Sequence, residues 1–344
     1  MSNGCSNSSN PISTPMTLST IPASLASAFD ALDDDLKLPV EMLLSDSRDD
    51  RLVAVVNLQH LCDEESVPFL IHALRDDSDD VAFTAVTSLW EIANQIAVLP
   101  LIECLSSTVT ERIRLEALNA LKELVNQDHL LALLDQLAKS DVALQASILI
   151  LLRKIHDIQA LPSVAPFLSS EHELLRKEAV TTLRYLNQLT HFPPAIALAS
   201  DPSIEVRKET MLTLAHLDEP DVITALITCL LEDTSWEVRR NAAQALDRKS
   251  DPSTANALAS SISDDHWQVR KFALRALNAH VSENHITNIL PLLCDDYSDV
   301  RKEAALALGG ISSDQSRSAL KRSINDSDIE VRIASEKSLA RIGN

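Results

Sequence analysis

Glycine is nearly missing from this chain, with four residues in 344. Few backbone positions can then turn through positive φ free of steric cost, which argues against a β-rich chain of tight hairpins. Aromatic residues make up 3%, a poor platform for stacking nucleic-acid bases. Cations are scarce: 30 Lys and Arg stand against 50 Asp and Glu. The resulting net charge of −20 disfavours nucleic acid and anionic membrane as partners. No apolar run reaches the ~18 residues that insertion across a bilayer needs. The cysteines (Cys5, Cys62, Cys104, Cys229 and Cys294) are odd in number, scattered and without a C-x-x-C pair. Neither a disulfide framework nor structural zinc is expected, and a reducing compartment is. No cation precedes Lys37, so a secretory or transit peptide is not expected and a cytoplasmic location is. Glycine-rich phosphate loops, paired-His metal motifs and Ser/His/Asp orders are missing too, so no metal and no required cofactor are expected.

What the chain has instead is a period. Leu58, Leu89, Leu121, Leu152, Leu183, Leu214, Leu246, Leu277, Leu308 and Leu339 follow one another at steps of 31 or 32 residues. Eight residues before each stands Asp50, Val81, Ile113, Leu144, Leu175, Val206, Val238, Val269, Val300 or Val331, apolar in all but the first. With this position as slot 0, slots 0, +4, +5 and +8 form one apolar helical stripe, as in Val269, Ala273, Leu274 and Leu277. A second apolar segment lies upstream, such as Val222–Leu231, and polar turns such as DPSIE and DDHWQ join the two. Ser203, Ser235 and Asp328 stand at slot −3 as candidate N-caps. Pro68, Pro100, Pro162 and Pro193 fall early in the upstream helix, where a missing donor costs little. Each unit therefore reads as helix A, turn, helix B. A pair this small cannot bury its stripe alone, so an all-α solenoid of about ten short repeats is predicted.

Residues 1–20, rich in Ser, Asn, Thr and Pro, predict a disordered tail. Leu25, Phe29 and Leu32 predict a capping helix over about residues 21–35, and repeats fill about 36–344 in one solenoid spanning 21–344. The arginines at slot +1 (Arg176, Arg207, Arg239, Arg270, Arg301, Arg332) and the aspartates at slot −5 predict a structural ladder between stacked turns. In the N-terminal half slot +1 reads Arg51, Ala82, Arg114 and Gln145, a degraded pattern.

Slot +2 carries Lys177, Lys208, Arg240, Lys271 and Lys302 in successive repeats. These cations predict either a solvated face paired with nearby glutamates or a rail for an acidic protein partner. Trp236 and Trp267 share slot −2, beside His266 and Tyr297 at slot −3. The tryptophans suit apolar anchors at the start of helix B; His266 and Tyr297, where Ser or Asp is usual, suit a partner-contacting edge. Cys294 stands in an exposed turn next to Asp295 and Asp296, which oppose thiolate formation.

The motif D-x-x-x-x-V-R-x-x-A-x-x-x-L, carried in close variants by 201–214, 233–246, 264–277 and 295–308, resembles HEAT repeats. Its short period is similar to that of the phycobilisome-lyase group, which includes the E/F-type bilin lyases, and the likeness runs from about residue 36 onward. That resemblance implies a phycobiliprotein subunit as partner and a linear tetrapyrrole as substrate, presented to a subunit cysteine by a lyase or lyase-like chaperone. It equally implies a non-enzymatic scaffold in phycobilisome assembly or breakdown, and a second HEAT-repeat subunit. Under it, Trp90, Lys122, Arg153, Arg184 and Tyr185 are the candidate bilin- or partner-binding residues, offering cations for two propionates and a ring for a conjugated face. Cations near helix C-termini are also favoured by the helix dipole alone. A HEAT-repeat di-iron hydroxylase would need several His-Glu pairs, and His172-Glu173 is the one pair in the chain.

Overall fold

The computed structural model describes residues 25–343; the expected tail over residues 1–20 lies outside them. The described residues are helical throughout, with no strand among them. The chain divides into two compact units, Met1–Ile155 and His156–Asn344. Each is a run of helix A–turn–helix B pairs.

The B helices of the first unit are Arg48–Leu61, Asp79–Ile92, Glu111–Leu124 and Val142–Ile155. Those of the second are Glu173–Leu183, Ile204–Leu214, Trp236–Lys249, Trp267–Leu277, Ser298–Leu308 and Ile329–Gly343. The apolar stripe explains them. Nine of the ten marker leucines are 0–1% exposed, so each B helix turns its stripe into the interior of its own unit. The tenth, Leu339, is half-buried in helix Ile329–Gly343.

The A helices are more broken. Val67–Ala73 follows a 3₁₀ turn and carries Pro68 at its start. Pro193–Ser200 is 3₁₀ along its length, and Leu161–Val164 passes into the 3₁₀ segment Ala165–Ser169. Proline at these starts removes a donor that has no intrahelical partner. Of the capping helix expected over 21–35, the described part is Ala26–Asp30, since residues 21–24 lie outside the described residues. It ends at Asp30, and Asp34 already begins the first A helix, Asp34–Leu43. The short piece sets Phe29 edge-on to Phe69 of helix Val67–Ala73, at 6.5 Å between ring centroids.

The turns are closed by the predicted ladder, and the geometry shows how one arginine serves two repeats. Arg207 gives Nη1 to the carbonyls of Asp201 and Pro202 in its own turn, and Nε and Nη2 to both carboxylate oxygens of Asp233 in the next. Arg176–Asp201, Arg239–Asp264, Arg270–Asp295 and Arg301–Asp326 repeat this fork at 2.7–2.9 Å, and Arg51–Asp76 does so in the first unit. The same aspartates accept the slot −3 N–H, for example from Ser203, Ser235 and His266. A turn tied this way needs no side-chain N-cap. Ser203 supplies one and Ser235 does not.

Where slot +1 lacks arginine, other ties replace it. Around Ala82, Asp80 is bridged by Arg48 and by Arg112, the latter at 2.7 Å. At the fourth repeat, Asp141 reaches back to Ser106 and to the Ser107 N–H and hydroxyl, while its other oxygen caps Ala143 and Leu144. Burial works against the Asp141 carboxylate, but these donors outweigh it and hold its pKa down to about 2.

Candidate functional site

The predicted tetrapyrrole-binding residues fall in two units, Trp90, Lys122 and Arg153 in the first and Arg184 and Tyr185 in the second. In the first, the Trp90 indole donates to Glu123 Oε2 at 2.9 Å, a bond between neighbouring repeats. Lys122 Nζ lies 3.4 Å from Asn119 Oδ1. Arg153 is half-buried in the last turn of helix Val142–Ile155. Its neighbour Lys154 donates to the carbonyls of Lys122 and Glu123 at 2.6 and 2.5 Å. Lys154 thus satisfies free carbonyls at the end of the preceding B helix, the role that a helix C-terminus favours for a cation.

In the second unit, Arg184 pairs with Glu209 at 3.1 Å and lies over the Tyr185 ring at 5.4 Å. The Tyr185 carbonyl meets His156 Nδ1 at 2.9 Å, and Tyr185 itself is 39% exposed. Arg184 also lines a cleft of about 160 Å³ with Leu212, His216, Gln244 and Arg248. Burial pushes the His216 pKa down, and Arg248 and Arg184 push the same way. His216 and Arg248 share slot +10 and were missed in the sequence; comparing that slot across repeats would have paired them.

The basic row is present along the second unit, and each cation has a partner. Lys177 meets Glu178 at 3.0 Å, and Lys208 meets Glu205 at 2.9 Å and Glu237 at 3.2 Å. Arg240 donates to Asn241 and, at 3.5 Å, to Gln268. Lys271 pairs with Asp299 and Lys302 with Glu330, each at 3.1 Å. The slot −1 residue of each following repeat is the recurring acceptor. In the first unit the equivalent slot +2 is apolar, holding Leu52, Phe83 and Leu115, the last 54% exposed. Arg112 lies over Phe83 at 4.0 Å.

The slot −2 and −3 aromatics do more than anchor. Trp236 stacks on His266 at 3.6 Å and 18°, and Trp267 on Tyr297 at 4.8 Å and 9°. His266 and Trp267 lie 6.3 Å apart and join the two pairs into one strip across three repeats. Arg240 and Lys271 sit near the tryptophan faces at 5.5 and 6.0 Å. Burial lowers the His266 pKa, so its imidazole is neutral at pH 7.

The thiols divide by environment. Cys104 and Cys229 are buried, and burial pushes both pKa values up to about 11. Cys62 and Cys294 are exposed. No cluster of three or more His, Cys, Asp or Glu suited to a metal occurs among the described residues. Also among them, no helix is long and apolar enough to cross a membrane.

Known proteins match this architecture. The family model for HEAT repeats matches residues 36–122, 192–278 and 255–340. No curated protein matches the chain. Among solved structures, the crystal structure of an engineered protein aligns over 91% of this chain and 100% of its own, at 19% identity and a TM-score of 0.52. Kap95p in its complex with RanGDP aligns over 93% of this chain at 14% identity and a TM-score of 0.55. The Kap95:Nup1 complex aligns over 93% at 14% identity and 0.61. This chain covers 52% of the length of Kap95. At such identities these structures bear on the fold alone. The family model covers more than half of the chain, and the chain belongs to the HEAT-repeat family.

Proposed function

We propose that the chain is a protein-interaction scaffold that holds a partner protein along the outward faces of its B helices. One observation carries this reading: slot +2 lies outside the buried core in nine of the ten repeats, apolar at Leu52, Phe83, Leu115 and Ile333 and cationic in the five successive repeats from Lys177 to Lys302, with the buried Ala146 as the exception. A surface with one contact per repeat suits an extended protein partner, because many modest contacts add up along a regular array. Paired lysines still contribute, since an acidic partner can exchange with the slot −1 carboxylates at little net cost.

The finer form of the proposal makes that partner a phycobiliprotein subunit and its cargo a linear tetrapyrrole. Arg184 over Tyr185 beside the small cleft is the observation that favours it, a cation and a ring on one ridge. Trp90, Lys122 and Arg153 offer similar chemistry in the first unit. In that chemistry the bilin supplies the electrophile and the acceptor thiolate attacks, so the scaffold need only place the two. Co-expression with bilin synthesis and phycobiliprotein subunits tests both forms. Co-purification of a subunit without colour supports the scaffold. Covalent colour above a control lacking this chain, lost in Arg153→Glu/Arg184→Glu, supports presentation of the tetrapyrrole. No co-purification with any subunit rejects a phycobiliprotein as the partner.

A further inference from the structure

We infer that the strip Trp236–His266–Trp267–Tyr297 is a docking surface for a proline-rich, arginine-bearing peptide segment in extended polyproline II form. This deepens the scaffold reading and rests on it.

Four observations converge. The first is concentration: aromatics are 3% of the chain, yet two of its three tryptophans and one of its two tyrosines stand on this strip. The second is unused hydrogen-bonding capacity. Trp90 spends its indole N–H on Glu123. By contrast, neither the Trp236 nor the Trp267 indole N–H, nor the Tyr297 hydroxyl, has a hydrogen-bond partner among the described residues. Three donors on the strip are therefore left without a partner in the fold. A polyproline II segment has no internal hydrogen bonds, so its carbonyls are free to accept them. The third is pitch. Neighbouring helices pack about 8–10 Å apart, and a polyproline II turn of three residues rises about 9 Å. One prolyl turn per repeat matches the step between the slot −2 rings Trp236 and Trp267, and Tyr297 lies stacked against Trp267 at 4.8 Å as part of the second contact.

The fourth is charge. Asp265 and Asp296 stand next to the strip at slot −4, both exposed, and no cation lies within ion-pairing distance of either carboxylate among the described residues. The nearby cations Lys208 and Lys271 are already paired with Glu237 and Asp299. Arg240 at the Trp236 end has the neutral partners Asn241 and Gln268, whereas from His266 to Tyr297 the bordering side chains without an ion pair are Asp265 and Asp296, so an arginine on the peptide meets carboxylates at that end. Proline suits the rings for a further reason. Its flat apolar face packs on an aromatic edge, and its restricted backbone has little entropy left to lose on docking. Tyr297, at 46% exposed, and Ile329, at 59%, extend the accessible apolar edge toward the last repeat.

The test uses the full-length chain and an array of proline-rich peptides of about twelve residues with a terminal arginine. Each peptide carries two controls, prolines replaced by alanine and arginine replaced by glutamate. In the Trp90→Phe protein, titration with the best array peptide should change the fluorescence of the two remaining tryptophans. Affinity should fall at least tenfold with the alanine control, and about threefold in Tyr297→Phe, which keeps the stacked ring and loses the hydroxyl. The surface pair Asp265→Lys/Asp296→Lys should weaken binding about tenfold and reverse the preference for arginine over glutamate. If no peptide binds better than its alanine control, the inference is overturned. The same holds if affinity is unchanged in Asp265→Lys/Asp296→Lys and Tyr297→Phe with the helical spectrum intact. A partner that still co-purifies with those variants sinks this strip as its site while leaving the scaffold reading standing.

Discussion

Leu214 is fully buried in the middle of its unit, and Leu339 is half-buried in the last helix. Truncation should separate them. Leu214→Ala leaves a cavity and should cost about 3–4 kcal/mol, Leu339→Ala about 1 kcal/mol, read from urea unfolding midpoints at a common slope. The ladder carries a second residue-scale prediction. Arg239 is 17% exposed and Asp264 11%, so Asp264→Asn strips a partly buried guanidinium of its counter-charge. It should destabilise by about 2–3 kcal/mol, whereas the exposed pair Arg75–Glu103 should cost well under 1 kcal/mol when broken. The ladder also sets a pH dependence. Arg301 first, against burial, holds the Asp326 carboxyl below its usual value; for Asp76, Asp201 and Asp264 burial opposes and the arginine fork prevails. A carboxylate with a lowered folded pKa contributes stability that is full above its unfolded pKa of about 3.9 and is lost as pH falls through the folded value. The ladder's contribution to the melting temperature should therefore be flat from pH 7 to about 5 and fall steeply below 4, while His216 and His266, whose pKa values are lowered, withdraw a smaller share as pH falls below the ordinary histidine value. Asp141, at about 2, should be among the last to give way.

At the scale of elements, the scarcity of glycine has a visible consequence. Several B helices end in a left-handed residue, and Cys62, Ala93 and Ser250 occupy that position at φ 51°, 56° and 49°. An L-residue there costs about 1 kcal/mol. Ala93 is exposed, so Ala93→Gly should stabilise the first unit by about 0.5 kcal/mol, once the extra freedom of the unfolded chain is subtracted. The glycine at 309 works in the opposite sense. A Cβ there would lie 2.6 Å from Ser338 Cβ and 2.9 Å from Ser338 Cα, because the last two B helices approach closely at that point. Gly309→Ala should force them apart and lower stability by about 1–3 kcal/mol in thermal unfolding. Neither effect is legible from one sequence. Slot +9 shows that Gly309 is unusual, but which neighbour it meets is fixed by the packing of a helix about thirty residues further on.

Across the whole molecule, a repeat array passes stability from neighbour to neighbour, so damage should stay local. Hydrogen exchange of Leu214→Ala should quicken chiefly in Ile204–Leu214 and in the helices packed on it, Glu173–Leu183 and Trp236–Lys249. Loss of protection spread evenly over Asp34–Leu43 and Ile329–Gly343 would contradict a quasi-one-dimensional core. The period alone determined the helix pairs, the buried seam and the Arg–Asp ladder, because those follow from side chains meeting at fixed spacing in every copy. Tertiary structure decided what the basic row pairs with, how Asp80 and Asp141 stand in for missing arginines, and how four aromatics join into a strip. Each of those depends on which residue of the next repeat lies opposite. A helical period places a side chain on a face, but the register between two stacked helices is set by their packing, and recognition is read across that register.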